Sequence, residues 1–466
     1  MLKVISGVKT GSHPQTLNSI YVAIIRSVME YGCSVTNNAG KTNKQLLNVV
    51  NNQCLRKVTG CTRSTPLNAL TALAGQEPLE ERFNYVTGKS IARCFERNNV
   101  IAEQLRNITE IEDGDEGKYS YVERMYYRNK QLYDNIMTVE AISTKSQEAE
   151  AVEITSTLEG IVGHKKSNLA PTRMKQAALV AMNETYCGRG RIFTDASKAD
   201  GVCGIGVYIE DVDVKRSFKL EGDISITAAE IHALGVALQF VEEGQLLNYV
   251  IYTDSMTACL MLEEARDFNR AETVLAYVLE TARKWRISFQ WIPSHVGIAG
   301  NEVADQLARE GVNQTTVLEH QLFAKDVMRQ IKVQTAESAQ RWYQEYSQEK
   351  GIRFFTLHQK LHDKPWYHGK SFGGRDIRLL NRIMTGHNYA KSWLARMKIV
   401  ESGDCELCAE EETAEHSILT CPRYNSIRAR YSFGNGYSDL VEVFKTKSME
   451  LYKELVDFVK ECKLDL

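Results

Sequence analysis

The sequence predicts an α/β protein in which a mixed five-stranded sheet, flanked by helices, lies between two mainly helical regions. Two observations carry this prediction. Between residues 186 and 315, short β-branched runs bounded by Gly or Asp are followed by stretches with apolar residues at helical spacing. On both sides of this segment, apolar residues recur at i, i+3 and i+4. The change of period predicts that the sheet is confined to residues 186–315.

Length and charge limit the classes of function. The chain has 466 residues and a formal net charge of -2, so nucleic-acid binding would require a local basic patch. No apolar run approaches the roughly 20 residues of a membrane span, and the first residues lack the apolar core of a signal peptide. We therefore expect an intracellular protein, nuclear or cytoplasmic, that makes no membrane contact. Most of the 11 cysteines are scattered singly, which suits reduced thiols.

The residues before the sheet divide into two parts. Residues 1–105 are predicted to form a helical region, from stretches such as LNSIYVAIIRSVMEYG and LEERFNYVTGKSIARCF. Residues 106–185 are acid-rich and then polar, as in TKSQEAEAVEIT and GHKKSNLAPTR, and are predicted to be a linker.

The elements of residues 186–315 follow in a definite order. RIFTDAS, VCGIGVYIE and VKRSFKL predict three successive antiparallel strands. ITAAEIHALGVALQFVEEG predicts a helix for which Thr227 is the cap candidate, and NYVIYTD predicts a strand that leads into the helix SMTACLMLEE. ETVLAYVLETARKW is a further helix, ISFQWIP a strand, and NEVADQLAREGV a last helix. Strands four and five each need a helical crossover to lie parallel to a neighbour, which gives a mixed sheet.

Four acidic residues fall where such a fold would bring them together. Asp195 and Asp254 are predicted at the ends of the first and fourth strands, Glu230 in the first turns of the first helix, and Asp305 on the last helix. Strand ends and the helix starts that follow them meet along one edge of an open sheet. Clustered carboxylates repel unless cations neutralise them, and a pair of divalent ions serves in-line displacement at phosphorus. The quartet therefore predicts phosphodiester hydrolysis, although any one acid alone could equally be a solvated surface group.

The motifs around these acids carry a resemblance to a known family. FTDAS, TAAEIHAL, YTDS and SHVGIAGNEVADQLA occur in the order and spacing of the type 1 ribonuclease H boxes, so residues 191–312 resemble that fold. The resemblance implies that Asp195 bridges two metal ions, that Glu230 and Asp254 complete the leaving-group ion's site, and that Asp305 completes the water-activating ion's site. Mg²⁺ is the expected ion, and Mn²⁺ accepts the same oxygen ligands.

The same resemblance assigns a role to His295 and to the residues that contact substrate. It implies that His295, on a mobile loop before the last helix, assists proton transfer or product departure; a turn histidine bonded to the backbone is the alternative. Four further residues are expected to contact the substrate: Ser197, Thr227, Asn301 and Glu302. Helix capping by Asn301 is the other interpretation.

The substrate that the resemblance implies is an RNA/DNA hybrid. Cutting only its RNA strand requires recognition of the 2′-hydroxyl groups. Only a few residues separate MLEEARD from ETVLAYV, so the extra basic helix that grips the hybrid in some family members is expected to be missing. Substrate grip would then come from elsewhere in the chain.

A basic stretch follows the sheet segment. Residues 316–400 are predicted to be a helical basic region, and residues 350–398 hold eleven Lys and Arg against two Asp, a net charge of +9. Seven Phe, Tyr and Trp are interleaved with them. Phosphate neutralisation together with base stacking is typical of nucleic-acid binding. The alternative is a set of amphipathic helices with basic solvent faces.

A Cys/His cluster lies in the last segment, residues 401–466, which also contains a C-terminal helix. CELCAEEETAEHSILTC supplies Cys405, Cys408, His416 and Cys421, which predict one structural Zn²⁺ in a zinc-knuckle-like tail. Chance clustering is the alternative. The acidic EEET between the ligands indicates that nucleic-acid contacts come from the preceding basic region rather than from the cluster.

Further resemblances place the chain in a wider context. TNKQLLNVVNNQCLRKVTGCTRSTPLNALTALAGQEPLEERF resembles the thumb region of reverse transcriptases of jockey and I-like, insect-type non-LTR retrotransposons, and LLNRIMTGHNYAKSWLARM with the Cys/His cluster resembles the tail of those polyproteins. There is no YxDD box, so the resemblance implies the C-terminal part of such a polyprotein, partnered by a polymerase palm in a longer chain.

Three functional hypotheses follow. The first is a Mg²⁺-dependent ribonuclease H that cuts RNA in RNA/DNA hybrids and leaves 5′-phosphate and 3′-hydroxyl ends. The second is a nucleic-acid-binding remnant whose ribonuclease domain is folded but idle. The third is a truncated product whose N-terminal helices lack their partner and fold poorly, which exposed apolar surface on residues 1–100 would indicate.

Overall fold

The computed structural model describes residues 5–7, 11–111, 116–142, 151–163, 169–434 and 436–466. Parts of the predicted linker, at 112–115, 143–150 and 164–168, lie outside the described residues. The chain forms two compact units. The outer unit consists of Met1–Thr87, Ser120–Val122 and Lys332–Leu466, and the sheet unit consists of Gly88–Tyr119 and Glu123–Ile331.

The predicted helical N-terminal region is confirmed. The α-helices that precede the sheet are Pro14–Ile20, Ser27–Tyr31, Cys33–Thr36, Lys41–Thr59, Leu67–Ala74, Leu79–Glu96, Val100–Arg106, Tyr121–Arg128 and Lys130–Asp134. A π-helical turn, Tyr21–Arg26, continues the first of them. Gly60 and Gly75 end two of the helices in the left-handed conformation, which glycine adopts without a Cβ clash.

The predicted linker contains regular structure. Within it lie the helices Tyr121–Arg128 and Lys130–Asp134, strand β1 (Val139–Ala141), strand β2 (Ile154–Thr155) and the helix Pro171–Val180, which a π-helical turn, Ala181–Thr185, extends towards the main sheet. The helix begins at a proline, whose fixed φ suits the first helical position.

Apart from the short strand β7, which was not predicted, the remaining strands and helices of the sheet unit follow the predicted order. The strands are β3 (Gly190–Ala199), β4 (Val202–Ile209), β5 (Val214–Leu220), β6 (Tyr249–Thr253), β7 (Arg270–Glu272) and β8 (Ser288–Trp291). The helices are Ile226–Gly244, Met256–Phe268, Thr273–Trp285 and Ala299–Gly311. Only the short β7 separates the second of these helices from the third, so the chain has no room there for an extra basic helix.

The main sheet is mixed, as predicted, but it has six strands instead of five. Its order is β2-β8-β6-β3-β4-β5, with β3, β4 and β5 antiparallel and β3, β6, β8 and β2 parallel. The additional strand is β2, in which Ile154 pairs with Phe289 of β8. Two residues are too few to show the alternation by which a strand is predicted from sequence. A separate two-stranded sheet joins β1 to β7.

The larger buried apolar cluster described in the outer unit is built from both ends of the chain. The C-terminal part of this unit contains the helices Ala324–Glu349, which begins in the sheet unit, Ile352–Leu357, Gly374–Thr385, Lys391–Arg396, Asn425–Arg428, Leu440–Lys445 and Met449–Glu461. Leu17, Leu55 and Leu70 lie in the same buried apolar cluster as Ile383 and Phe458. The N-terminal helices therefore have packing partners inside this chain.

Some apolar side chains of the N-terminal helices remain exposed. Tyr31 is 95% exposed, and Val28 and Val35 are more than 70% exposed. Within the described part of the chain, none of the helices combines the length and the apolar character that crossing a membrane requires.

Candidate active site

The register of the two central parallel strands brings Asp195 and Asp254 side by side. Strands β3 and β6 pair in parallel up to Thr194 opposite Thr253. Asp195 and Asp254 are the residues that directly follow this last pair in the sequence. Asp254 follows the end of β6, as predicted. Asp195, in contrast, is not at the end of its strand, because β3 continues to Ala199 in its pairing with β4. The end of the β3–β6 pairing, rather than a strand end, positions Asp195.

Glu230 reaches the same point from the helix Ile226–Gly244. Ser225 caps this helix by accepting a hydrogen bond from the Ala228 amide at 3.2 Å. The prediction of Thr227 as the cap was therefore wrong, because the helix begins one residue before it. Carboxylate oxygens of Asp195, Glu230 and Asp254 all lie within 4.8 Å of one another.

Burial and mutual repulsion make ionisation of these carboxyl groups unfavourable. Burial and, after it, the charges of Asp254 and Asp305 raise the pKa of Asp195 to about 7, and the Ala196 amide opposes the rise by donating to Asp195 Oδ1 at 2.7 Å. Burial also raises the pKa of Glu230 well above its usual range, with Asp195 and Asp254 as the next causes. Among the described residues, buried Glu230 Oε2 has no hydrogen-bond partner. A divalent cation would satisfy that oxygen and neutralise the repulsion, so the donor set fits a hard metal ion.

Close packing of the last helix on the sheet brings Asp305 towards Asp195. Gly206 of β4 lies directly opposite Asp195, and a Cβ on this glycine would stand 2.2 Å from the carbonyl oxygen of Ala304. Only glycine permits this approach. The neighbouring Asp305 is close enough for its charge to raise the pKa of Asp195.

Asp305 nevertheless belongs to a second group of side chains. Ligand atoms of Asp305, His295 and Glu302 lie within 4.8 Å of one another. His295 Nδ1 is 3.9 Å from Asp305 Oδ2, and Arg309 donates to the same oxygen at 2.6 Å. The structure thus brings three of the four predicted acids into one cluster and places the fourth beside it, paired with an arginine.

His295 occupies an exposed loop, as the resemblance implies. Its side chain is 66% exposed, and its φ of 56° is unusual for a residue other than glycine. Gly297, two residues later, also has a positive φ. The ring faces the Asp305 carboxylate, which suits a group that exchanges protons at the site.

The four predicted substrate contacts lie around this centre. Ser197 is half-buried on β3, two residues beyond Asp195 and therefore on the same face of the sheet. Thr227 is half-buried one turn before Glu230. Asn301 is only 2% exposed and lies inside the first turn of Ala299–Gly311, so the capping interpretation is wrong; its Oδ1 has no hydrogen-bond partner in the part of the chain described. Glu302 is exposed.

Two contributors near the site were not predicted. Asp326 is 3% exposed and accepts hydrogen bonds from the Ser225 amide at 3.0 Å and from the Ser225 hydroxyl at 3.2 Å. It thereby holds the N-terminus of the helix that carries Glu230. No sequence signal links residues 101 positions apart. Arg309 could have been found, because it follows Asp305 at the i, i+4 spacing of helical ion pairs.

The comparison with known families agrees with this geometry. Residues 189–313 match the family model described as RNase H. The chain contains an RNase H domain. The match covers roughly a quarter of the chain and includes all four acids and His295, while β2 and Asp326 lie outside it. An RNase H domain implies the use of divalent metal and action on nucleic-acid hybrids.

The Cys/His cluster forms a second group of metal-ligating atoms, in the outer unit. One ligand atom from each of Cys405, Cys408, His416 and Cys421 lies within 4.8 Å of the others. Cys421 Sγ is 3.9 Å from both Cys405 Sγ and Cys408 Sγ. A Zn–S bond of about 2.3 Å gives a tetrahedron edge of about 3.8 Å, so these separations suit zinc.

The surroundings of the cluster also fit a metal. Among the described residues, buried His416 Nε2 has no hydrogen-bond partner, while Nδ1 lies 3.1 Å from Glu410 Oε2. A carboxylate on one ring nitrogen orients the other towards a metal. Burial opposes ionisation of Cys405, but the Leu407 and Cys408 amides and the neighbouring side chains of His416 and Cys408 outweigh it and lower its pKa to about 6. A thiolate is the form that binds zinc.

Several cations of the basic stretch 350–398 have structural partners. Arg378 and Arg382 are at least 90% buried and donate to backbone carbonyl oxygens. Arg353, Lys391 and Arg396 form ion pairs with glutamates. Five of the eleven cations thus have partners within the fold.

Proposed function

We propose that this protein is a Mg²⁺-dependent endoribonuclease that hydrolyses the RNA strand of RNA/DNA hybrids. The observation that carries the proposal is the buried cluster of Asp195, Glu230 and Asp254 inside an RNase H domain. Three carboxylates within 4.8 Å, one with an unpartnered oxygen, are costly unless a cation neutralises them. Mn²⁺ would serve as a substitute, because it accepts the same ligands.

Each residue has a role in this proposal. Asp195, Glu230 and Asp254 would hold one ion, and Asp195 with Asp305 would hold a second. When bound, such ions activate a water molecule and stabilise the leaving oxygen. His295, exposed beside Asp305, would move a proton during attack or product departure. Ser197, Thr227, Asn301 and Glu302 would contact the nucleic acid.

The outer unit would supply additional contacts to the nucleic acid. We propose that Cys405, Cys408, His416 and Cys421 hold one structural Zn²⁺ and that exposed cations of residues 350–398 bind the nucleic-acid backbone. The similarity to non-LTR retrotransposon polyproteins, and the division of the chain at residues 105, 185, 315 and 400, belong to the same proposal. A polymerase palm would be the partner in a longer polyprotein.

The test is cleavage of a hybrid whose RNA strand is labelled, by the full chain in Mg²⁺ and in EDTA, with duplex RNA as the control substrate. We expect Mg²⁺-dependent cleavage of the hybrid only. A folded protein that binds the hybrid without cutting it would favour the idle, binding-only remnant instead. The observation that favours this second candidate is the pairing of Asp305 with Arg309, because the arginine occupies a carboxylate oxygen that the second metal ion would need.

A further inference from the structure

A small open cavity in the outer unit combines an apolar floor with a cationic rim. Its volume is about 60 Å³. On the scale in which one water needs roughly 10–15 Å³, it has room for about four waters or the edge of one base. The lining residues are Ala72, Leu73, Phe354, His358, Lys360, His362, Lys364 and Trp366.

The ionisable side chains that line this cavity are all basic. Every second residue from His358 to Trp366 lines it, so His358, Lys360, His362 and Lys364 are brought to the same side of the segment HQKLHDKPW. None of the lining residues is acidic. Burial and, after it, the charges of Lys447 and His362 lower the pKa of His358 to about 4, so the His358 ring is neutral near pH 7. A bound anion would relieve the repulsion between the Lys360 and Lys364 side chains.

The segment that carries the cations is held in place by the rest of the outer unit. The buried Tyr343 hydroxyl donates to the His358 carbonyl oxygen at 2.6 Å. Gln340 donates to the carbonyl oxygen of Gln359 and accepts from the amide of Leu361, both at 2.9 Å. These bonds fix one end of the segment, so less entropy is lost when the rim binds a ligand.

Close packing fixes the other end of the segment. A Cβ on Gly75, which has a φ of +60°, would stand 2.7 Å from Pro365 Cδ and 3.0 Å from the Lys364 carbonyl carbon. Aromatic rings border the floor: His358 stacks on Phe354 with centroids 4.8 Å apart, and the Trp366 indole nitrogen donates to Asn381. The aromatic rings of Phe354, His358 and Trp366 are therefore held in place beside the lysine side chains.

We propose that this cavity is a binding site for one nucleotide of a single nucleic-acid strand. Its phosphate would lie among the side chains of Lys360, His362 and Lys364, and the edge of its base would enter the apolar floor. Phosphate neutralisation beside aromatic surface is how proteins hold single strands. The site takes no part in the cleavage chemistry; it rests on the proposed role of the exposed cations of residues 350–398 in nucleic-acid binding and names the ligand of two of them, Lys360 and Lys364.

The experiment measures binding of a labelled thymidine decanucleotide to the full chain in EDTA, by fluorescence anisotropy across a salt series. The test variant is Lys360→Gln with Lys364→Gln. The matched control is Lys370→Gln with Lys398→Gln, which removes the same charge from exposed positions of the same basic stretch. Ala72→Phe fills the floor without changing charge, and thermal unfolding verifies that each variant is folded.

We expect the test variant to weaken binding about tenfold and to reduce the salt slope by about one, whereas the control loses about threefold or less. Ala72→Phe should weaken binding of the thymidine strand and leave an abasic decanucleotide unaffected. Equal losses in the two lysine double variants would overturn the site in favour of a diffuse basic surface. Inorganic phosphate binding to the parent more tightly than the strand does would assign the cavity to free phosphate and overturn the nucleotide.

Hybrid cleavage in Mg²⁺ separates this proposal from the proposed function. An inactive parent protein that still shows the tenfold difference in strand binding would refute the nuclease and leave the nucleotide site intact.

Discussion

Replacing Asp254 by Asn should abolish cleavage and, at the same time, stabilise the metal-free protein. Asp254 is the second cause, after burial, of the rise in the pKa of Asp195 to about 7. When the pKa of a carboxyl is raised in the folded state, the protein loses stability as the pH rises from about 4 through 7, because the folded protein must ionise this carboxyl at a cost. One pKa unit corresponds to about 1.4 kcal/mol, so we expect the free energy of unfolding to increase by about 1 kcal/mol at pH 8. At pH 5, where Asp195 is protonated, the gain should nearly vanish.

The assay is thermal unfolding of parent and Asp254→Asn in EDTA at both pH values, followed by hybrid cleavage in Mg²⁺. Glu264→Gln is the control, because it removes one negative charge from an exposed position of the helix that follows Asp254. This control should change neither unfolding nor cleavage. An Asp254→Asn protein that melts earlier than the parent at pH 8 would contradict the repulsion between Asp195 and Asp254. One that still cuts would contradict the role of Asp254 as a metal ligand.

Three further changes test other parts of the account. Arg309→Gln removes the cation 2.6 Å from Asp305 and should lower the half-saturating Mg²⁺ concentration for cleavage about two- to threefold; an unchanged or higher value would count against a metal beside Asp305. Asp326→Ala leaves the Ser225 donors without their acceptor and should lower the free energy of unfolding by about 1–3 kcal/mol and slow cleavage, whereas parental melting and rate would remove its positioning role. Cys405→Ser should release zinc, measured by metal analysis, and weaken hybrid binding without slowing cleavage at saturating hybrid; full zinc content would exclude Cys405 as a ligand.

The sequence predicted the parts of the fold that depend on local pattern. Alternation and helical spacing within residues 186–315 predicted the five main strands, the flanking helices and their order, and the mixed sheet is confirmed. The convergence of Asp195, Glu230 and Asp254 was expected from the meeting of strand ends and helix starts at one edge of the sheet, although Asp195 lies inside β3 and not at its end. The Cys/His spacing likewise predicted a group of four ligand atoms that the structure brings together.

The remaining features depend on contacts between distant parts of the chain. Strand β2 is two residues long and exists because β8 offers a free edge, which its own sequence cannot show. The interaction of Asp326 with Ser225 joins positions 101 residues apart. The net charge of the basic stretch could not show that Arg378 and Arg382 are buried and donate to backbone carbonyl oxygens, so that a ligand cannot reach them. In each case tertiary packing decides what a side chain contacts.

The chemical ends of the RNA products show whether metal-activated water or the 2′-hydroxyl attacks the phosphorus. If carboxylate-held metal ions activate water at phosphorus, the labelled RNA strand of a hybrid should be cut in Mg²⁺ to fragments with 5′-phosphate and 3′-hydroxyl ends, and the DNA strand should stay intact. Fragments with 2′,3′-cyclic phosphate ends that form equally in EDTA would mean that the 2′-hydroxyl is the nucleophile. They would contradict the roles proposed for Asp195, Glu230, Asp254 and Asp305.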